Sequence, residues 1–102
     1  MTSAVFSPPA QDDLLSALHW IARDNPNAAQ GLLEAALSAA ARIGAHPEIG
    51  ALRTDLADEP YRFLALTGYS YIVVYNASRK PPLIVRIVHG ARDLPELLQD
   101  LS

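Results

Sequence analysis

Residues 61–88 read YRFLALTGYSYIVVYNASRKPPLIVRIV, and this stretch decides the fold. Three runs rich in aromatic and β-branched residues, 61–66, 71–75 and 83–88, are separated by Thr67-Gly68 and by the polar segment Asn76-Ala77-Ser78-Arg79-Lys80-Pro81-Pro82. Runs of this composition with short turns between them predict consecutive antiparallel strands, a meander. The third run is the most apolar and is expected at the centre of the sheet.

Upstream, Ala4-Val5-Phe6 reads as an edge strand that Ser7-Pro8-Pro9 stops. Ser7 suits a helix N-cap, Pro8 the first helical position, and Asp12 and Asp13 the first turn. Leu14, Leu15, Leu18, Ile21 and Ala22 recur at helical spacing and predict a helix over 8–23. Asn25-Pro26 restarts the helix, with Ala29, Leu33, Ala36, Ala40 and Ile43 on one face and Leu32 and Leu37 beside it. Gly44 is expected just past its end. The two helices form an antiparallel hairpin, and the alanines let the second approach its neighbour closely. Residues 46–50 read as a loop, and 52–58 as partly extended. Downstream, Asp93 is expected to cap a last helix, with Glu96 completing a capping box and Leu94, Leu97, Leu98 and Leu101 as its apolar face. The expectation is one α+β domain over residues 1–102, of order β-α-α-β-β-β-α, with the hairpin packed on one face of the sheet.

Composition removes several classes of function. The chain has 102 residues and no cysteine, which excludes disulfides, thiolate metal sites and a cysteine nucleophile. The start, Met1-Thr2-Ser3-Ala4-Val5-Phe6, lacks the basic and apolar regions of a signal peptide. The apolar runs are far shorter than the roughly 20 residues of a membrane span, so a cytoplasmic protein with no membrane partner is expected. The net charge is −3, with eight basic residues of which one, Lys80, is lysine. That balance argues against strong direct nucleic-acid binding. It leaves room for a local patch, since Arg53, Arg62, Arg79, Arg86 and Arg92 all fall in the second half.

Strand alternation places Ile84, Arg86 and Val88 on one face and Leu83, Val85 and Ile87 on the other. Arg86 is the lone charge in an apolar strand and needs compensation if buried. It either pairs with Asp55, Asp58 or Asp93, or faces an open groove that binds an anionic or protein partner, with Arg62, Tyr71 and Tyr75 near it; the other reading of the two tyrosines is packing with a wet hydroxyl. His89 ends the strand, with Gly90 and Arg92 beyond, and could serve as a general acid or base if a second group stood within reach. His19 and His46 have no partner at metal-ligand spacing, so neither a metal nor a cofactor is expected. The adjacent acidic pairs Asp12-Asp13 and Asp58-Glu59 read as solvated turns or helix starts. No Gly-rich phosphate loop, Gly-x-Ser-x-Gly elbow or His-Glu-x-x-His helix occurs.

Six pieces of the chain, in order, resemble the ParE branch of the RelE/ParE toxin superfamily. Asp13 to Ile21 and Asp24-Asn25-Pro26-Asn27-Ala28-Ala29 look like its first helix and "DNP-x-AA" join. His46-Pro47-Glu48-Ile49-Gly50 with Leu52-Arg53 resembles its "HP-x-x-G" loop and following arginine. Tyr61-Arg62 and Tyr71-Ile72-Val73-Val74-Tyr75 resemble its "YR" and "Y-x-I-x-Y" strands, and Arg86-Ile87-Val88-His89-Gly90-Ala91-Arg92-Asp93 its "R-V-x-H-G-x-R-D" close.

The resemblance implies a helical hairpin against a curved antiparallel sheet. It also implies a toxin of a type II toxin–antitoxin (plasmid stabilisation) system, hetero-oligomeric with a ParD-like antitoxin whose C-terminal segment wraps it. ParE-like members are associated with inhibition of DNA gyrase and need no chemistry of their own, whereas RelE-like members cleave mRNA on the ribosome. A ribonuclease needs a proton acceptor, a donor for the leaving oxygen and cations for the phosphorane. Here those would be Arg62, Arg86, His89 and Arg92. Between Leu52 and Asn76 the chain has Arg53 and Arg62 and no lysine, which favours ParE over an enzyme. Partner contacts are then expected from Arg53, Arg62, Tyr71, Tyr75, Arg86, His89, Arg92, Leu94, Leu97 and Leu98. A third reading is a scaffold of the same fold that has lost toxicity.

Overall fold

The computed structural model describes residues 2–90 and Asp93. The elements are β1 (Val5–Phe6), α1 (Pro8–Ala22), α2 (Pro26–Ala45), β2 (Ala51–Leu52), β3 (Tyr61–Ala65), β4 (Tyr71–Asn76) and β5 (Leu83–His89). The Ser7 side chain accepts from the Ala10 N–H and that of Asn25 from the Ala28 N–H, so both helices start where their caps predict. Asp12 and Asp13 fall in the second turn of α1 rather than the first.

The five strands order as β1-β5-β4-β3-β2. Two expectations change here. β4 is the central strand, and β5 stands one place from the edge. The sheet is mixed, because β1 runs parallel to β5 with Val5 opposite Leu83 and Phe6 opposite Ile84. A strand that leads directly into the covering helices can return beside β5 in either sense, and alternation carries no information on that choice. The ambiguous region resolves into β2, which pairs antiparallel with β3, followed by turns. The last helix expected from Asp93, with Leu94, Leu97 and Leu98, lies outside the described residues, as does Arg92.

Both faces of the sheet bury apolar side chains. Tyr71, Val73 and Tyr75 of β4 pack with Ile84 and Ile87 under Leu14, Leu32, Ala36 and Ile43 of the hairpin. Phe63, Val74 and Val88 form a second cluster with Ala57 on the reverse face. Simple alternation fails in β5. The register slips between Val74, opposite Arg86, and Tyr75, opposite Ile84, leaving Val85 as the extra residue. The bulge puts Ile84 and Ile87 on the hairpin side, while Val88 lies on the reverse side.

α2 buries Ala29, Leu32, Ala36, Ala39, Ala40 and Ile43 and leaves Leu37 exposed, so its buried stripe is rotated from the predicted one. Gly44 lies inside α2, not beyond it. Its reason is close approach: a Cβ there would collide with the Thr2 carbonyl, and the incoming chain donates from Ala4 N–H to the Ala40 carbonyl at 2.9 Å.

Candidate functional site

Residues singled out by the motifs gather at two separate places. At the first, β3 and β4 hold the loop 46–50. Tyr75 is fully buried, yet its hydroxyl is satisfied twice, donating to the Pro47 carbonyl at 2.6 Å and accepting from the Gly50 N–H at 2.8 Å. Burial pushes its phenol above the ordinary tyrosine range, against the opposing pull of the Gly50 hydrogen bond and the Arg62 charge. Arg62, opposite Tyr75 in register, donates to the Gly50 carbonyl at 2.8 Å and the Glu48 carbonyl at 3.1 Å. A Cβ on Gly50 would meet the Tyr75 ring edge and hydroxyl, so glycine lets the loop close on the tyrosine. Tyr75 and Arg62 thus direct their polar atoms to their own chain.

The second place is the outer end of β5. Cross-strand partners share a face, so Arg86, opposite Val74, stands on the reverse side from Arg62 and Tyr75. Its guanidinium meets Asp13 of α1 at the β5 edge, with Nε to Oδ2 at 2.7 Å and Nη2 to Oδ1 at 3.2 Å. Asp13 Oδ2 also accepts the Ile87 N–H at 3.0 Å. One carboxylate therefore closes the backbone edge beyond the short β1 and neutralises the arginine. The pairing corrects the expectation for both residues: Asp13 is 18% exposed in its side chain rather than a solvated helix-start residue, and it, rather than Asp55, sits on Arg86. The signal in the sequence was its position directly before Leu14, at the margin of the buried stripe of α1. His89 packs its ring edge-on to Tyr71, with centroids 5.5 Å apart at 84°, and its N–H donates to Asp93 at 3.0 Å.

The residues expected around one groove are thus divided. Tyr71 and Tyr75 are buried beneath the hairpin, and Arg62 is not brought to Arg86. Arg53 lies apart, forming an exposed two-bond pair with Asp55 at 3.0 and 3.1 Å. The hydrogen bond from Arg53 lowers the Asp55 carboxyl and raises the guanidinium in turn. Among the described residues, no group of three or more His, Asp or Glu could hold a metal, and no helix is long and apolar enough to cross a membrane.

A third feature was not legible as a site. Val5, Leu15 and Leu37 are 49%, 55% and 53% exposed and border an open apolar groove of about 370 Å³ with Phe6, Gln11 and Leu14. Helical periodicity assigns Leu15 to the core face of α1 and sets Leu37 beside that of α2, and packing leaves both exposed. At the hairpin tip, Trp20 is exposed beneath the Arg23 guanidinium, 5.5 Å from the ring centre.

A family model described as the ParE toxin of the type II toxin–antitoxin system parDE matches residues 4–94. The chain belongs to that family. A solved structure, the chromosomal ParDE TA system from P. aeruginosa, has the same fold as this ParE-family chain, with a TM-score of 0.68 at 21% identity. The match covers 87% of this chain and 96% of the other. No curated protein matches the sequence. Membership agrees with the hairpin on a five-stranded sheet and with the order of the six motif pieces.

Proposed function

We propose that the chain is the toxin of a type II pair, acting in the cytoplasm by inhibiting DNA gyrase and held inactive by a ParD-like antitoxin. The apolar groove between β1 and the helical hairpin carries this reading. Three half-exposed aliphatic side chains around one concavity are unfavourable in water and suit an amphipathic partner segment that folds as it binds. The similar P. aeruginosa structure is that of a ParDE system, and family membership supports the same pairing here.

The arrangement at Arg86 favours action by binding over RNA cleavage. A guanidinium already carrying a carboxylate at 2.7 Å has less capacity to stabilise a phosphorane. Arg53, Arg86, His89 and Arg92 remain proposed contacts for the target, together with Leu94, Leu97 and Leu98. Arg62, Tyr71 and Tyr75 act on such contacts through the loop and strands they hold.

The test is inducible expression with and without the neighbouring antitoxin gene, followed by supercoiling and ribosome-dependent mRNA cleavage assays on purified toxin. Growth arrest relieved by the antitoxin, with loss of supercoiling, is expected. Growth unaffected by expression would remove the toxin reading. Cleaved mRNA that disappears in Arg86→Ala or His89→Ala would replace gyrase with the ribosome.

A further inference from the structure

The connection between β4 and β5 meets the C-terminal end of α2 around an open concavity of about 570 Å³, lined by Thr2, Ala45, Pro47, Ala77, Arg79 and Lys80 among others. Among the described residues, no acidic side chain lines it. Arg79 and Lys80 are exposed, and neither takes part in an ion pair or side-chain hydrogen bond among the described residues. Three other arginines are engaged, Arg53 by Asp55, Arg62 by the loop carbonyls and Arg86 by Asp13, while Arg23 and Arg42, on the helices, form no ion pair among the described residues. A chain of net charge −3 thus places two adjacent, uncompensated cations at one cavity. The carboxyl end of α2 contributes about half a negative charge there, which two full positive charges outweigh.

The cavity lies beside the apolar groove. Both reach the N-terminal segment, the cavity at Thr2 and the groove at Val5 and Phe6, and the Val5 N–H donates to the carbonyl of Pro82, another residue lining the cavity. Three to four residues of extended chain span roughly 10–14 Å, so one partner segment reaches both.

We infer that this cavity docks an acidic stretch of the same partner segment whose apolar side chains fill the groove. Carboxylates meet Arg79 and Lys80 while leucine-like side chains cover Val5, Leu15 and Leu37. The inference rests on the antitoxin reading above, and its tests separate the two.

The first measurement is the affinity of the purified antitoxin for wild type and for Arg79→Glu/Lys80→Glu, with folding checked by circular dichroism. Binding at least tenfold weaker, with a shallower salt dependence, is expected. Arg23→Glu, which reverses one charge where the double variant reverses two, is the control for charge reversal at a distance: α2 is about 30 Å long and puts that residue several Debye lengths away, so its affinity should stay within about twofold. Unchanged affinity in the double variant overturns the inference while leaving the antitoxin reading intact.

If no antitoxin complex forms, the second measurement decides. Amide shifts are recorded with an acetylated Asp-Glu hexapeptide and with its Asn-Gln analogue. Shifts confined to Ala45, Ala77, Arg79 and Lys80, and seen with the acidic peptide, uphold the cavity. Their absence overturns it, as does displacement of the peptide by lower concentrations of inorganic phosphate or an oligonucleotide.

Discussion

The loop 46–50 and the outer end of β5 both carry motif residues, and both are held by side chains rather than by a further strand. They differ in how. At the loop, a buried neutral hydroxyl and an arginine bind backbone groups, and the fastening is dry on the tyrosine side. At β5, a partly exposed carboxylate binds a charge and a backbone N–H. Buried hydrogen-bonding groups are costly to orphan, whereas part-exposed charges recover some solvation from water. The loop should therefore be the more sensitive of the two to mutation, and the β5 end the more sensitive to salt.

Tyr75→Phe is expected to have the largest effect. It orphans the Gly50 N–H and the Pro47 carbonyl at a buried position and should cost about 3 kcal/mol in chemical denaturation. A loss below about 0.5 kcal/mol would mean that the loop does not depend on the hydroxyl. Asp13→Ala comes next, at roughly 2 kcal/mol, because it leaves Arg86 without this carboxylate and the Ile87 N–H without its acceptor. Asp13→Asn keeps an acceptor for Ile87 and should recover about half of that loss. Equal losses in the two variants would assign the whole effect to charge. Added salt should shrink the deficit of Asp13→Asn and leave that of Tyr75→Phe unchanged.

A smaller effect separates the two places by pH. The folded state holds the Tyr75 phenol above its ordinary value, chiefly by burial. The unfolded chain therefore releases that proton first as pH rises through about 10, and stability falls from there upward. The melting temperature of wild type should drop more steeply above that pH than that of Tyr75→Phe, and parallel curves would contradict the burial argument. The smallest effect is expected at Arg53→Ala. Its exposed pair with Asp55 is screened by water and salt, so the melting temperature should be unchanged within error between pH 6 and 8.

What could be read in advance followed periodicity and caps. Ser7 and Asn25 marked the starts of both helices because capping is a local hydrogen bond that neighbouring residues dictate. The three meander strands stand within a residue of their predicted ends, since alternation and turn residues are also local. The site was far less legible. Whether Tyr75 packs or meets a partner, and whether Arg62 faces a groove, stayed open because a tyrosine or arginine in a strand carries no mark of whether its polar tip meets solvent or a loop from elsewhere in the chain. Asp13 and Arg86 are 73 positions apart, and their pairing depends on α1 packing along β5.

The sequence by itself determined the family, the helical hairpin and the meander, because hydrophobic period, capping residues and turn chemistry act over a few residues. The tertiary structure decided the parallel pairing of β1, the bulge at Val85, the partner of Arg86 and the grouping of Val5, Leu15 and Leu37 into one groove. Each of these depends on which surfaces meet when the elements pack, and packing joins residues that no local pattern relates.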